Sequence, residues 1–140
     1  MNNVNLNDLV TLFAATITNL NNREKATLSR AFVRDLMEGK AGAFSMHEVE
    51  MRGYGQHRHE VLHDVEYKHE RKSYTIKGEE RFYDVRRIAG SWGWGQDIDT
   101  IEEVWVKLLA DNQLELCMGR WEAPPRCACV FKSRTFRLTF

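Results

Sequence analysis

Leu6, Leu9, Val10, Phe13, Ile17 and Leu20 recur at three- and four-residue steps, so one apolar stripe runs along a helix expected to start at Asn5 or Asn7. Asn21 and Asn22 interrupt it. Asn21 followed by Glu24 has the form of an N-cap with a reciprocal acidic partner. Leu28, Phe32 and Leu36, flanked by Ala31, Val33 and Met37, stripe a second helix that Gly39 can end in a left-handed cap. So short a joint predicts an antiparallel helical hairpin over residues 1–38, apolar enough to cover a sheet or to form a dimer seam.

Gly39-Lys40-Ala41-Gly42-Ala43 is the linker-like stretch, and beyond it the period changes from helical to alternating. Residues 44–52 read as a strand closed by Gly53-Tyr54-Gly55, and residues 56–70 as a long second one. Strands over 73–77 and 81–88 follow, separated by a turn at Gly78-Glu79-Glu80. Residues 104–108 and 114–118 flank Ala110-Asp111-Asn112-Gln113 as a hairpin, and 127–131 with 134–140 form the closing pair. Residues 97–103 are alternatively a helical turn, since Ile98 and Ile101 are three apart. The expected fold class is therefore α+β: a helical hairpin, then over residues 44–140 a mostly antiparallel sheet of six or seven strands, strongly curled or closed into a small barrel. All 140 residues fit one domain.

Charged residues make up 29% of the chain and sum to zero, which removes any bulk electrostatic drive toward nucleic acid or an anionic membrane. Acidic side chains between 96 and 116 (Asp97, Asp99, Glu102, Glu103, Asp111, Glu115) precede basic ones between 120 and 140 (Arg120, Arg126, Lys132, Arg134, Arg137), an order that suits pairing between neighbouring strands. Three cysteines, Cys117, Cys127 and Cys129, with no Cys-x-x-Cys spacing, suggest a reducing cytoplasm and small buried side chains. Residues 1–20 lack the form of a secretory signal, and no apolar run is long enough to span a bilayer.

All five histidines lie between His47 and His69, and His57, His59, His63 and His69 share one parity with Val61, Val65 and Tyr67. That alternation predicts a half-buried strand with imidazoles beside apolar residues, serving packing, hydrogen bonding or a protonation switch. The same stretch spells His59-Glu60-Val61-Leu62-His63, with His69 ten positions after the first histidine. These eleven residues resemble a metzincin site, and the resemblance implies zinc held by His59, His63 and His69 with Glu60 as general base. Glu66 stands where that family carries a glycine. The two geometries exclude each other: on a strand His59 and His63 lie about 13 Å apart, too far to share an ion. His57 and His59 would instead be about 7 Å apart on one face, similar to the His-x-His pair of cupin barrels.

Gly90-Ser91-Trp92-Gly93-Trp94-Gly95 places two tryptophans on one face of a glycine-rich segment, with Tyr83, Arg86 and Arg87 upstream. Such a platform suits a protein interface or a stacked base, whereas core or rim positions for Trp92, Trp94, Trp105 and Trp121 are the plainer alternative. No phosphate loop, nucleophile elbow or dinucleotide fingerprint occurs. The expectation is a non-enzymatic cytoplasmic binding protein without a cofactor, a homodimer that regulates or inhibits a protein partner through Trp92, Trp94, Tyr83, Arg86 and Arg87. The alternatives are a zinc-dependent hydrolase and a single-stranded nucleic-acid binder.

Overall fold

The computed structural model describes residues 5–90, 95–122 and 130–140. Among them, helices α1 (Leu6–Ile17) and α2 (Asn22–Met37) precede seven strands. Asn5 caps α1, its side-chain oxygen accepting from the amides of Asn7 and Asp8 at 2.9 and 3.3 Å. The Asn21–Glu24 capping box is formed in both directions at the start of α2. At the other end Gly39 takes φ +86°, which lets its amide reach Leu36 and the Lys40 amide reach Asp35, satisfying two carbonyls of the last turn. Phe13 stacks on Phe32 with ring centroids 4.3 Å apart, joining the two helices. No helix among the described residues is long and apolar enough to cross a membrane.

The strands are β1 (Ser45–Arg52), β2 (His59–Ile76), β3 (Glu79–Gly90), β4 (Gly95–Asp97), β5 (Glu103–Ala110), β6 (Gln113–Glu122) and β7 (Val130–Thr139). They form one antiparallel sheet in the order β4-β3-β2-β1-β7-β6-β5, so two meanders meet where β7 docks on β1. The sheet is curled and not closed, which settles the choice between curled sheet and barrel. A 3-10 turn at Ile98–Thr100 carries the chain from one meander to the other. There Ile98 and Ile101 are buried and the Arg30 side chain of α2 donates to the Ile101 carbonyl over 2.8 Å. Glu115 lies opposite Arg137 on the β6–β7 ladder, one of the cross-strand charge pairs expected from the acidic-then-basic order.

Three boundaries differ from expectation. Strand β2 runs unbroken through Glu70, Arg71 and Lys72, because none of these is a turn former and their alternation continues into Ser73 and Tyr74. The turn to β3 is Lys77-Gly78, one position earlier than expected, with φ of +51° and +80°, the left-handed pair of a two-residue hairpin turn. In place of the closing pair expected over 127–131 and 134–140 there is one continuous strand, β7 (Val130–Thr139), while Cys127 and Cys129 lie outside the described residues.

One core lies between the helices and a single face of the sheet. Leu9, Phe13, Phe32, Val33 and Leu36 meet Met46, Ile88, Leu114, Leu116, Met118, Phe136 and Leu138 there. Each large side chain fully withdrawn from water contributes roughly 1.5–3 kcal/mol. The opposite face leaves Met51, Leu62 and Trp105 exposed.

Candidate functional site

The β2–β3 pair is longer than the body it grows from. β1 accompanies β2 only as far as Asp64, and β4 accompanies β3 only over Arg87, Ile88 and Ala89. Every residue from 68 to 84 is exposed. The nine β2 residues from Lys68 to Ile76, at about 3.3 Å each, give a two-stranded ribbon extending roughly 25–30 Å. On one face the Tyr74 and Tyr83 rings meet at a tilt of 57° with centroids 5.8 Å apart, and on the other the Arg71 guanidinium lies 4.6 Å over the Phe82 ring. Tyr74, Ile76, Phe82 and Tyr83 are 45 to 54% exposed, so these contacts organise the aromatic side chains without burying them.

A polar cluster holds the root. Glu38, the C-cap of α2, accepts a 2.5 Å hydrogen bond from the Tyr67 hydroxyl and lies 3.5 Å from Arg86 Nε and 3.6 Å from His69 Nδ1. His69 Nε2 is in turn 3.2 Å from Asp84. Burial first, and then the bond to Glu38, push the Tyr67 hydroxyl pKa well above its ordinary value. Arg86 Nε is buried and has no hydrogen-bond partner among the described residues.

A second polar row crosses the helix-facing side of β7, β1 and β2. Glu48, 8% exposed, accepts from Arg134 over 3.1 Å and lies opposite His63 in the β1–β2 register. Its other oxygen is buried without a hydrogen bond. Burial raises the Glu48 pKa, with Arg134 acting against the rise. The His63 ring nitrogen Nε2 is 3.0 Å from Glu50, whose carboxyl is held below the usual range first by its hydrogen bond from Arg52 and further by His63.

The histidines do not converge. His57 ends the 3-10 turn Gly55–His57 and lies outside the strand, so the expected His57–His59 face is not formed; instead His59 Nδ1 lies 2.9 Å from the His57 carbonyl. His59, His63 and His69 are spread along β2, which is extended where the metzincin arrangement needs a helix. Glu60 points to the opposite face, where both its oxygens accept from Arg137 at 2.8 and 3.1 Å, and this bond lowers its pKa. A general base for an ion among those histidines is therefore on the wrong side of the sheet. His47 faces Asp64 at 3.4 Å on that outer side. Among the described residues no three His, Cys, Asp or Glu side chains are grouped to hold a metal ion.

The residues expected to accompany the tryptophans are held in three different settings. Tyr83 belongs to the ribbon's aromatic face, Arg86 to the root cluster, and Arg87 pairs with Asp97 of β4 at 2.9 Å. Trp92 and Trp94 lie outside the described residues. Trp105 is 49% exposed on β5, opposite the half-buried free thiol of Cys117. Glu38, Glu48 and the length of the ribbon were missed by sequence reasoning. The ribbon had a signal, an alternating run from 59 to 76 without Gly, Pro or Asn, but the two carboxylates had none, because their partners are 29 and 86 positions away. No known family model matches the chain, and neither a curated protein nor a solved structure is significantly similar to it.

Proposed function

We propose that this protein is a non-enzymatic binding protein that engages another polypeptide through the β2–β3 ribbon, acting as a regulator or inhibitor in the reducing cytoplasm. The observation that carries the reading is that residues 68–84 are exposed on both faces while displaying Tyr74, Ile76, Phe82 and Tyr83. A two-stranded ribbon without a core of its own is marginally stable in water, and its open edges are unpaired backbone donors and acceptors. A contact surface gives both features a use: aromatic residues supply large area at small entropic cost, and edge strands accept an added strand.

The ribbon's chemistry favours protein over nucleic acid. Between 70 and 84 Arg71, Lys72, Lys77 and Arg81 are balanced by Glu70, Glu79, Glu80 and Asp84, whereas a phosphate backbone calls for net positive charge. The test is a variant in which residues 70–85 are replaced by a two-residue turn. The shortened protein is expected to keep the helical signal and cooperative melting of the body, and to lose the protein associations that the intact chain shows in co-purification from its own cells. Retention of all those associations would overturn the reading.

A further inference from the structure

We propose that the ribbon's partner is a second copy of this chain, which adds its own β3 antiparallel to the free edge of β3 with Tyr83 on the two-fold axis. The inference rests on the reading of the ribbon as a protein-contact surface and identifies what it contacts.

The edge is defined by the turn. Around a two-residue hairpin turn the flanking residues, here Ile76 and Glu79, form a hydrogen-bonded pair, so alternate residues from Glu79 onward direct their backbone groups to β2. Glu80, Phe82, Asp84 and Arg86 then direct theirs outward. From Arg87 onward that edge belongs to β4. Among the described residues what remains unpaired is a seven-residue edge from Glu80 to Arg86, long enough for an ordinary strand pairing.

Symmetry restricts how two such edges can meet. A two-fold axis normal to the sheet keeps each side chain on its own face, so the axis must pass through a residue and not between two. Centring on Arg81 sets arginine against arginine, centring on Asp84 sets aspartate against aspartate, and centring on Phe82 sets Glu80 against Asp84 twice. Centring on Tyr83 sets Glu80 of each copy against Arg86 of the other, Phe82 against Asp84 and Arg81 against Val85, with no like charges opposed. Directly opposed opposite charges are favourable and like charges unfavourable; centring on Val85 also opposes Asp84 to Arg86 but brings Tyr83 against Arg87, where β4 already pairs, so charge and the position of β4 together select one register.

Two features of the strand pair suit that register. Arg86 Nε is buried, lacks a hydrogen bond and lies 3.5 Å from Glu38, and the arriving Glu80 carboxylate supplies an acceptor beside it. On the outer face Tyr83 sits on the axis already in tilted ring contact with Tyr74, so four tyrosine rings become contiguous across the junction. The edge of β2 also opposes charges when His69 is placed on an axis, but there the added strand would run into the cleft at Val65, Glu66 and Tyr67 that Phe44, Met46 and His47 wall.

The experiment is sedimentation equilibrium of the full chain, with disulfide trapping. Wild type is expected to be dimeric at tens of micromolar. Glu80→Lys should weaken dimerisation at least about tenfold by turning two attractive pairs repulsive. Phe82→Pro should give a monomer with an unchanged helical signal, since it removes a donor that faces the free edge and not β2. Central non-hydrogen-bonded residues approach to about 4.5 Å between Cα atoms, so Tyr83→Cys should form a covalent dimer on mild oxidation that wild type and His69→Cys do not. A wild-type monomer at 100 micromolar, or trapping through His69→Cys and not Tyr83→Cys, would overturn the proposal. If wild type is monomeric while the shortened ribbon still loses protein associations, the second copy alone is refuted; if the shortened chain keeps them, the contact reading falls as well.

Discussion

Tyr67 donates its hydroxyl proton to Glu38, so the residue that caps the second helix also fastens the root of the ribbon. Because the folded-state pKa of Tyr67 lies above its ordinary value of 10.0, the protonated hydroxyl is favoured by folding. That contribution is complete below pH 10 and is lost as pH rises through the raised folded-state value. Tyr67→Phe is expected to cost about 1 kcal/mol at pH 8 and to flatten the fall in stability above pH 10. Urea denaturation of both proteins between pH 8 and 11 measures this; parallel slopes would refute it.

Glu48 behaves in the same sense, and burial leads there too. Burial raises its pKa, so folding favours the protonated acid; this support is full below the ordinary value of 4.5 and disappears as pH rises through the folded-state value. Glu48→Gln is therefore expected to leave stability at pH 7 unchanged or improved by up to about 1 kcal/mol, while Arg134→Ala, which strips a partner from a buried carboxylate, costs about 1–3 kcal/mol. The double variant should recover part of the Arg134→Ala loss, and strict additivity in a double-mutant cycle would show that the pair is not coupled.

Lys77 occupies a left-handed position in the ribbon's turn at φ +51°, where most side chains are strained, glycine is not, and asparagine is tolerated through local hydrogen bonding of its short side chain. Lys77→Asn is expected to stabilise the ribbon by about 0.5–1 kcal/mol, and Gly78→Ala at φ +80° to destabilise it by about 1 kcal/mol. Amide exchange within 68–84 reads both changes directly. Equal protection in all three proteins would mean that the turn does not limit ribbon opening.

Both oxygens of Glu60 are engaged by Arg137, which holds its carboxyl below the usual range. The support this pair lends is present above pH 4.5 and is lost as pH falls through the lowered folded-state value, so Glu60→Gln should reduce the acid sensitivity of unfolding below pH 4.5. The same arrangement predicts that exhaustive chelation leaves Tm unchanged. A drop of several degrees in chelator, with zinc recovered in stoichiometric amount, would return the histidines to the position of ligands.

Local chemistry made much of this fold legible. The stripe from Leu6 to Ile17, the Asn21–Glu24 box, Gly39 past the second helix and the alternation through Val61, His63, Val65 and Tyr67 each depend on neighbours within a few positions, and the structure forms each of them. The same alternation decided the ambiguous His-Glu-x-x-His spelling in favour of a strand. What could not be read locally was the fate of side chains whose partners are distant: Glu48 meets Arg134, Glu60 meets Arg137, and Tyr67 meets Glu38 only after the sheet has assembled.

The amino-acid order alone thus determined the elements and the faces they present, because hydrophobic period, caps and turns act within one element. Only the tertiary structure decided that β1 parts from β2 at Asp64, that β4 ends at Asp97, and hence that seventeen residues, two strand ends and the turn between them, stand clear of the body. Whether a strand is covered depends on where its neighbours stop, and that is a property of the assembled sheet rather than of the strand.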